Sequence, residues 1–396
     1  MANSYLALLV LLIALAAIFR DDFSFTLLYL FAGSSVLGNL WVRRSIAAIR
    51  YSRDFTDRAF LGESINVRLE VINSGLLPVP WVRIHEGLPV ELCGPETFQQ
   101  VTSIAPKSKA TFQYKIEARR RGYYPIGPIF FTSADIFGFS TNNIRREGET
   151  DPLTVYPKII PLTKVELPSW SPLGNLRHHH PIFEDPTRAI GKRDYVAGDS
   201  LRRIDWKSTA TTGRMQVKIF EPSIALEAMI FLNLNANDYH YKTRIVSTEL
   251  AIVVAASLAN WIVEKQGAVG LYVHGEDPLN SSRNAELIPS RTGRGHLMRV
   301  LDTLARVRVE ERDGFEEQLR DHRVSLPWGT TLTIISGNAD TQLLEQAYQA
   351  RRGGMSVLLI LTGTVFHIEE IKSRAGYYGI PVVHIHREKD LDIWRK

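Results

Sequence analysis

Two long apolar runs near the start of the chain constrain its fold most. The first covers residues 5–19 and the second residues 23–42, with only Arg20, Asp21 and Asp22 between them. Each run is close to the ~20 residues that an α-helix needs to cross the hydrocarbon core of a bilayer. A cleaved signal peptide is the alternative for the first run, but no Lys or Arg precedes it and a second run follows directly. The sequence therefore predicts a transmembrane helical hairpin over residues 1–44, with the lipid bilayer as a partner.

The residues that follow the second run predict which side of the membrane the rest of the chain occupies. Five arginines lie there: Arg43, Arg44, Arg50, Arg53 and Arg58. Cytoplasmic flanks of membrane spans carry an excess of Lys and Arg, so we expect a multi-pass protein of the inner (plasma) membrane with its soluble domains in the cytoplasm. Cys93 is the only cysteine, which excludes an intrachain disulfide and agrees with that side.

The charge pattern gives no support for nucleic-acid binding. The 396 residues carry a formal net charge of +5, and the Lys and Arg residues are spread along the chain. A nucleic-acid groove would show clustered basic residues with aromatic residues between them. We therefore expect no nucleic-acid partner.

Residues 54–161 are predicted to form a β-domain. Apolar and polar residues alternate over residues 65–71, and short apolar runs at 79–84, 110–116 and 129–132 lie between Pro and Gly turns. Alternation with a period of two is typical of half-buried strands. The segment has the roughly one hundred residues of a usual β-sandwich, which is the fold we predict.

Residues 162–190 are rich in Pro and Ser and are predicted to be a linker. They include His178, His179 and His180, which raise the question of a metal site. Adjacent residues of an extended chain point in alternating directions, so at most two of these imidazoles could share an ion, and no cysteine or second histidine cluster stands nearby. We expect a solvated linker with no metal.

Residues 191–222, called the signature segment below, hold acidic, basic and aromatic residues more densely than any other stretch. Gly198 and Asp199 are predicted to form a turn and the N-cap of a short helix. Gly213 should end that helix. Residues 215–220 then alternate as a half-buried strand does.

Two roles are open for the signature segment: an internal brace or a docking surface. Arg202 lies beside Asp205 and Trp206 on the predicted helix, where it can pair with the carboxylate and lie over the indole. A brace would bury Trp206 and Asp205. We predict a mixed outcome, in which Trp206→Ala destabilises the domain while Arg193 and Lys207 contact a partner.

The signature segment resembles that of the bacterial DUF58 proteins in residue type and order. The matching residues are Arg193, Asp194, Tyr195, Gly198, Asp199, Arg202, Arg203, Ile204, Asp205, Trp206, Lys207, Phe220, Glu221 and Pro222. The resemblance extends over nearly the whole chain and implies a layout of membrane hairpin, β-domain, signature and von Willebrand factor A-like domain. It also implies a MoxR-type AAA+ ATPase as partner, and no known reaction.

Residues 223–396 are predicted to form an α/β domain of Rossmann type. Strands at 228–234, 268–274, 331–336, 356–361 and 381–385 alternate with helices at 243–265, 295–307, 340–352 and up to residue 375. Such alternation predicts a parallel sheet covered on both faces, which binds ligands at the carboxyl ends of its strands.

The loop after the first of these strands argues against a nucleotide or a tightly held metal. It has no Gly-x-Gly-x-x-Gly, which a dinucleotide site needs there. The family resemblance would place Asp-x-Ser-x-Ser in this loop, but the chain has Asn233, Asn235 and Asn237, with Thr292 as the candidate threonine. Amide oxygens can ligate Mg²⁺ or Ca²⁺, yet a site without a carboxylate lacks the charge for strong binding. We expect no cofactor, with either ion as the alternative.

A catalytic interpretation rests on Asp194, Asp199 and Asp205 with Lys207, which could form a cluster for metal-dependent hydrolysis. The neighbouring arginines would neutralise these carboxylates, and no Ser or Cys nucleophile stands near a His in a recognisable spacing. The sequence therefore predicts a non-catalytic, membrane-anchored adaptor. An envelope-associated hydrolase, or an envelope scaffold without an ATPase partner, is the alternative.

Overall fold

The computed structural model describes residues 10–11, 13–14, 17–18, 22–92, 98–134, 141–146, 150–165, 184–196, 199–222, 227–280 and 287–394. They form two compact units, one made mainly of residues 1–158 and the other mainly of residues 159–396. The predictions for Cys93, Gly198 and the three adjacent histidines (His178, His179 and His180) concern residues outside these ranges.

Helix α1 (Asp22–Ala47) contains the second apolar run. It is long and apolar enough to cross a bilayer, and 6% of its most apolar stretch is buried in the protein. The described positions between residues 10 and 18 are also helical and exposed. The buried residues of α1, among them Val42 and Ile46, lie in its last turns. The length, apolarity and exposure of α1 indicate that the protein is associated with a membrane.

The remainder of the first unit is built from β-strands. Those described are β1 (Ile49–Asp54), β2 (Arg58–Phe60), β3 (Ser64–Asn73), β4 (Val79–Glu86), β5 (Gln99–Ile104), β6 (Lys109–Glu117), β7 (Gly122–Ile126), β8 (Ile129–Ala134), β9 (Thr141–Arg146) and β10 (Asp151–Tyr156). They form three sheets with the orders β1-β3-β6, β2-β10-β7 and β5-β4-β8-β9. The predicted alternation is confirmed in β3, whose residues are buried and exposed in turn.

Apolar side chains of different sheets meet in two clusters. One joins Leu69 and Val71 of β3 to Ile84 of β4 and Phe131 of β8. The other joins β3 and β6 to β7 and β10. Sheets that bury a common apolar layer form a sandwich, so the predicted β-sandwich describes this unit.

A buried ion pair lies inside the β unit. Arg53 Nη2 is 2.5 Å from Glu86 Oε1, and neither side chain is exposed. Arg53 also pairs with Asp151, and the Tyr114 hydroxyl donates to Glu86. Burial raises the pKa of Glu86, and the Arg53 charge opposes that rise. Arg53 therefore belongs to the interior of this unit and does not act as part of a membrane flank.

The second unit contains a six-stranded sheet and its helices. Its strands are β13 (Glu227–Asn233), β14 (Ala268–His274), β15 (Ile288–Arg291), β16 (Thr331–Ser336), β17 (Ser356–Thr362) and β18 (Val382–Ile385). The helices are α3 (Arg244–Glu264), α4 (Arg294–Arg306), α5 (Phe315–Arg323), α6 (Thr341–Arg352) and α7 (Ile368–Tyr377). Each strand and helix predicted for this region is present, and β15 and α5 are additional.

The order of this sheet is β15-β14-β13-β16-β17-β18. All neighbours are parallel except β15, which runs antiparallel to β14 at the edge. Helix α3 is also apolar enough to cross a bilayer, but 78% of its apolar stretch is buried here, as a core helix requires. The chain order reverses between β13 and β16, which is where such sheets form a crevice.

The signature segment lies in the second unit as part of a β-hairpin. Strand β11 (Glu184–Asp194) pairs antiparallel with β12 (Gln216–Pro222). Between them lie a 3-10 helix (Leu201–Arg203) and helix α2 (Trp206–Thr212). Residues 184–190, which the sequence places in a linker, are thus strand residues, because they find backbone partners in β12.

Candidate functional site

The backbone of the signature segment is held by contacts across the base of the hairpin. The Tyr195 amide donates to the Met215 carbonyl, and the Asp205 amide donates to the Gln216 carbonyl, both at 2.8 Å. Ile204, 6% exposed, bridges to the buried Val217 of β12. The loop between the strands is therefore folded back on the hairpin and presents fixed side chains.

Asp199 closes a turn and does not cap a helix as predicted. Its carboxylate accepts two hydrogen bonds from the Arg193 guanidinium, at 2.6 and 2.7 Å, and a third from the Val196 amide. The Arg193 hydrogen bonds, followed by that of Val196, lower the pKa of Asp199. Since the 3-10 helix begins after Ser200 with no side-chain cap, the structure assigns Asp199 a different partner from the one the sequence suggests.

Asp205 is the residue that caps helix α2. Its carboxylate accepts a hydrogen bond of 3.1 Å from the Ser208 amide, and Lys192 Nζ lies 2.8 Å from the other oxygen. The Lys192 contact, followed by the Ser208 hydrogen bond, lowers the pKa of Asp205 to about 2. Lys192 also donates to the Ser208 hydroxyl. Asp205 therefore pairs with Lys192 across the hairpin rather than with Arg202, because strand pairing brings that lysine closer.

Trp206 is 68% exposed, which contradicts the predicted burial. It is the first residue of α2, and no aromatic or cation–π contact of its ring occurs among the described residues. Leu201 and Val196 nearby are 65% and 61% exposed. Asp205 itself is largely shielded, with 12% of its side chain exposed. The segment thus combines a fixed polar frame with an exposed apolar surface.

The charged residues of the segment are divided between frame and surface. Asp194 accepts a hydrogen bond from Gln216, and Asp199 and Asp205 are paired as described. Arg202 and Lys207 are exposed and have no hydrogen bond or ion pair from their side chains to any described residue. Arg203 is also exposed, and its charge acts on Asp199. Arg202 and Lys207 are therefore surface cations without a carboxylate partner among the described residues, whereas Asp194 is an exposed carboxylate held by a neutral amide.

The loop after β13, residues 233–238, satisfies its own polar groups. Asn233 Nδ2 donates to the Asp238 carboxylate at 2.7 Å and to the Ser336 hydroxyl at 3.2 Å. The Asn233 oxygen accepts from the Asn235 amide, and the Asn235 oxygen accepts from the Asn237 amide. The side-chain amide nitrogen of Asn233 therefore lies between the oxygens of Asp238 and Ser336, which a cation could otherwise bridge.

Asp238 is a carboxylate that the sequence analysis missed in this loop. Its position in the sequence, directly after Asn237, could have identified it as a member of this loop. Burial raises its pKa, and the hydrogen bonds from Asn233 and Asn235 oppose that rise. Among the described residues, no group of three or more His, Cys, Asp or Glu side chains is arranged to hold a metal ion.

Thr292 does not lie with this loop. It follows β15, whose Arg291 pairs with Val269 near the start of β14, whereas Asn233 pairs with His274 at the end of β14. Five residues of a strand span roughly 16 Å. Because β15 runs antiparallel to β14, Thr292 lies near the amino ends of the parallel strands, and Asn233 lies at their carboxyl ends.

A pocket of about 400 Å³ opens at the carboxyl ends of the strands. Asp238, His240, Asn338, Phe366, Glu370 and Arg374 are among its lining residues. Gly337 also lines it, and a Cβ atom there would lie 2.5 Å from the Asp238 carbonyl, so only glycine allows this approach. Glu370 pairs with Arg374 at 2.6 Å. The pocket is next to the crevice expected from the strand order, but its residues show no arrangement of nucleophile and base.

Comparisons with known proteins place part of the chain in a family. Residues 191–330 match the family model described as protein of unknown function DUF58. No curated protein is significantly similar to the chain.

Solved structures resemble parts of the chain only distantly. An aerotolerance-related membrane protein from Bacteroides fragilis is 11% identical, with 43% of this chain and 96% of that chain covered and a TM-score of 0.32. The CARDB domain of the PF1109 protein from Pyrococcus furiosus is 16% identical, with 27% and 91% covered and a TM-score of 0.21. A β-glucosidase from Listeria innocua is 8% identical, with 27% and 16% covered and a TM-score of 0.17.

The family match begins at the first residue of the signature segment and includes the loop after β13. The matched residues 191–330 contain both candidate sites described above, so this part of the chain is similar to the DUF58 proteins.

Proposed function

We propose that the protein is a membrane-anchored, non-catalytic adaptor whose signature segment docks a protein partner. The observation that carries this proposal is the exposure of Trp206 on a segment whose backbone and carboxylates are fixed by internal contacts. A large exposed indole costs solvation free energy in the free protein and is a frequent energetic centre of protein interfaces. An internal brace would have buried it.

The membrane anchor of this adaptor is a hairpin of the two N-terminal apolar runs. Helix α1 supports the second span. Arg43 and Arg44, in the last turns of α1, support a cytoplasmic position of the soluble units at the plasma membrane, because cytoplasmic flanks of membrane spans are enriched in Arg and Lys. Both soluble units then face the compartment in which ATP is present.

The first partner to test is a MoxR-type AAA+ ATPase, which the resemblance to DUF58 proteins implies. The second unit would be a von Willebrand A-like domain without its metal. Two features support that interpretation: the strand order reverses between β13 and β16, and the Asn233 amide occupies the centre of the loop.

The alternative, a hydrolase built on Asp194, Asp199 and Asp205, is less well supported. Each of the three carboxylates has its own partner within the hairpin, so they do not converge on a common point. Lys192 and Ser208 are in contact and suggest a nucleophile and base, but Lys192 donates to the Ser208 hydroxyl and is engaged in a salt bridge with Asp205. A general base must instead accept the proton of its nucleophile.

Partner capture with matched variants tests the proposal. The full-length chain in detergent is immobilised, and binding of the purified ATPase is measured for wild type, Trp206→Ala and Lys207→Ala. Both variants should bind weakly while melting at the wild-type temperature, since both side chains are exposed. Tyr377→Ala is the control, because this residue is 88% exposed on α7, outside the segment. Undiminished binding by Trp206→Ala would show that the segment is not the docking surface.

A further inference from the structure

We infer that the surface which the signature segment recognises is an acidic protein surface with an apolar slot. This inference rests on the proposed docking function and names the chemistry of the partner. Residues 191–222 contain seven Lys or Arg residues and four Asp or Glu residues. The excess of positive charge alone would be ordinary for a solvated face, so its distribution in the structure decides the argument.

Two carboxylates of the segment are shielded and held by cations of strand β11, while other cations of the segment are exposed. Asp199 and Asp205 retain 19% and 12% of their side-chain exposure, and both are bound by Arg193 and Lys192 of strand β11. The exposed Arg202 lies between these two acids in the sequence and the exposed Lys207 follows Asp205, and neither cation has a carboxylate partner among the described residues. Arg203 and Arg214 are exposed as well. A partner therefore meets a positive surface, and complementary carboxylates would pair with it.

Apolar side chains lie among these cations. Trp206 directly precedes Lys207, and Leu201 directly precedes Arg202. Both apolar residues are more than 60% exposed. An indole flanked by cations fits a slot that has an apolar floor and carboxylates at its rim, the arrangement in which a central aromatic anchor is surrounded by polar contacts.

Anionic lipid is the other surface that attracts Trp with Arg and Lys, and the structure favours protein. Arg193 binds Asp199 through two parallel hydrogen bonds, and Asp205 fixes the start of α2 next to Trp206. These contacts fix the register between the indole and the cations. A fluid lipid surface does not need a fixed register, whereas a protein slot with carboxylates at set positions does.

Site-specific photo-crosslinking in the native cell identifies what the segment touches. A benzophenone amino acid replaces Leu201 or Val196 in the full-length chain, which leaves Trp206 and the basic residues intact. Tyr377 is replaced in the same way as the control position, since it is exposed on a different helix. Mass spectrometry of the adducts identifies both the protein and the contacted segment.

Each outcome of the crosslinking decides a different point. The inference expects a protein adduct from both signature positions whose contacted segment has an excess of Asp and Glu. A neutral or basic protein segment, or an adduct with phospholipid, overturns the acidic-protein inference. If neither signature position gives an adduct above that of Tyr377, the docking function itself fails.

A charge exchange provides the second readout. Arg202→Glu combined with Arg203→Glu should reduce the adduct on the order of tenfold or more, since like charges then face each other. Reversal of the contacted carboxylates to Lys should restore it. Arg387→Glu with Lys389→Glu changes the same charge on exposed residues elsewhere and should have no effect. An adduct that persists in the Arg202/Arg203 variant, while Trp206→Ala abolishes it, would leave docking intact and exclude charge recognition.

Discussion

Asp205 connects two parts of the signature segment. Its carboxylate caps helix α2 through the Ser208 amide and pairs with Lys192 of strand β11. Both contacts are stronger with the ionised carboxylate, which is why the pKa of Asp205 falls to about 2. One side chain therefore fixes the direction of Trp206, which follows it in the chain.

The lowered pKa of Asp205 predicts how this segment responds to acid. A carboxyl whose pKa is lower in the folded state stabilises the fold fully above its ordinary pKa of 3.8, and that contribution is lost as the pH falls toward about 2. The Ser208 amide should therefore lose protection from hydrogen exchange over this range. Asp205→Asn retains an oxygen that can cap the helix but cannot titrate. If the Ser208 amide of that variant follows the same acid transition, another group is responsible.

Two tryptophans of the second unit give opposite predictions for truncation. Trp206→Ala should change the free energy of unfolding by less than about 0.5 kcal/mol, because its side chain is 68% exposed. Trp261→Ala should cost about 3–5 kcal/mol, because Trp261 is 2% exposed in helix α3. Chemical denaturation of the full-length variants in detergent measures both. A large loss for Trp206→Ala would restore the bracing role predicted from the sequence.

At the scale of elements, the loop after β13 is held together by an amide where a cation-binding loop would need a carboxylate. Asn233 donates to Asp238 and to Ser336. It is 1% exposed, so these donors have no access to bulk water as an alternative partner. The loop therefore depends on the nitrogen of this side chain, and a chelator should leave the melting temperature unchanged.

Exchange of that amide for a carboxylate tests the arrangement. Asn233→Asp removes the donor and places a second carboxylate beside Asp238, so it should destabilise the protein by about 1–3 kcal/mol. Millimolar Mg²⁺ should recover part of this loss, because two facing carboxylates can now share the ion. Asn237→Asp is the control, since Asn237 is exposed. Thermal unfolding with and without Mg²⁺ measures the effect, and a wild-type protein that Mg²⁺ stabilises clearly would contradict it.

The elements of the second unit follow from the sequence because their patterns are local. Buried strands such as β13 and β16 are short apolar runs, and helix α3 is a long one, so period and length suffice to identify them. The short edge strand β15 escaped prediction, since its pairing with β14 depends on distant residues. Its antiparallel direction is also what separates Thr292 from Asn233.

The candidate site was harder to predict for a related reason. The sequence identifies which residues of the signature segment carry charge, but their partners are set by hairpin register. Arg193 reaches Asp199 and Lys192 reaches Asp205 because β11 pairs with β12 over a loop of about twenty residues. Neighbours in sequence, such as Arg202 and Asp205, are separated by the change from 3-10 to α-helix. Exposure of Trp206 depends on the same folding-back of the loop.

The whole molecule combines a membrane helix with two soluble units, and its proposed function depends on their side of the membrane. Arg53 does not contribute to the positive flank of the membrane helix, because its side chain is buried against Glu86 in the β unit. Arg43 and Arg44 lie in the last turns of α1 and remain as the positive charges closest to the apolar run. We propose that these two charges retain this end of the helix in the cytoplasm.

This topology predicts where fused reporters will work. Alkaline phosphatase, which is active only in the periplasm, should be inactive when fused after Lys396. The same enzyme inserted between Asp21 and Asp22, in the connector of the two apolar runs, should be active if both runs cross the bilayer. Arg43→Glu with Arg44→Glu should weaken this orientation and raise the activity of the fusion after Lys396, whereas the pair Arg351→Glu and Arg352→Glu, some 300 residues later in the sequence, should not. Full activity after Lys396 in the unaltered chain would place both soluble units outside the cytoplasm, where no ATP-driven partner could reach the exposed Trp206.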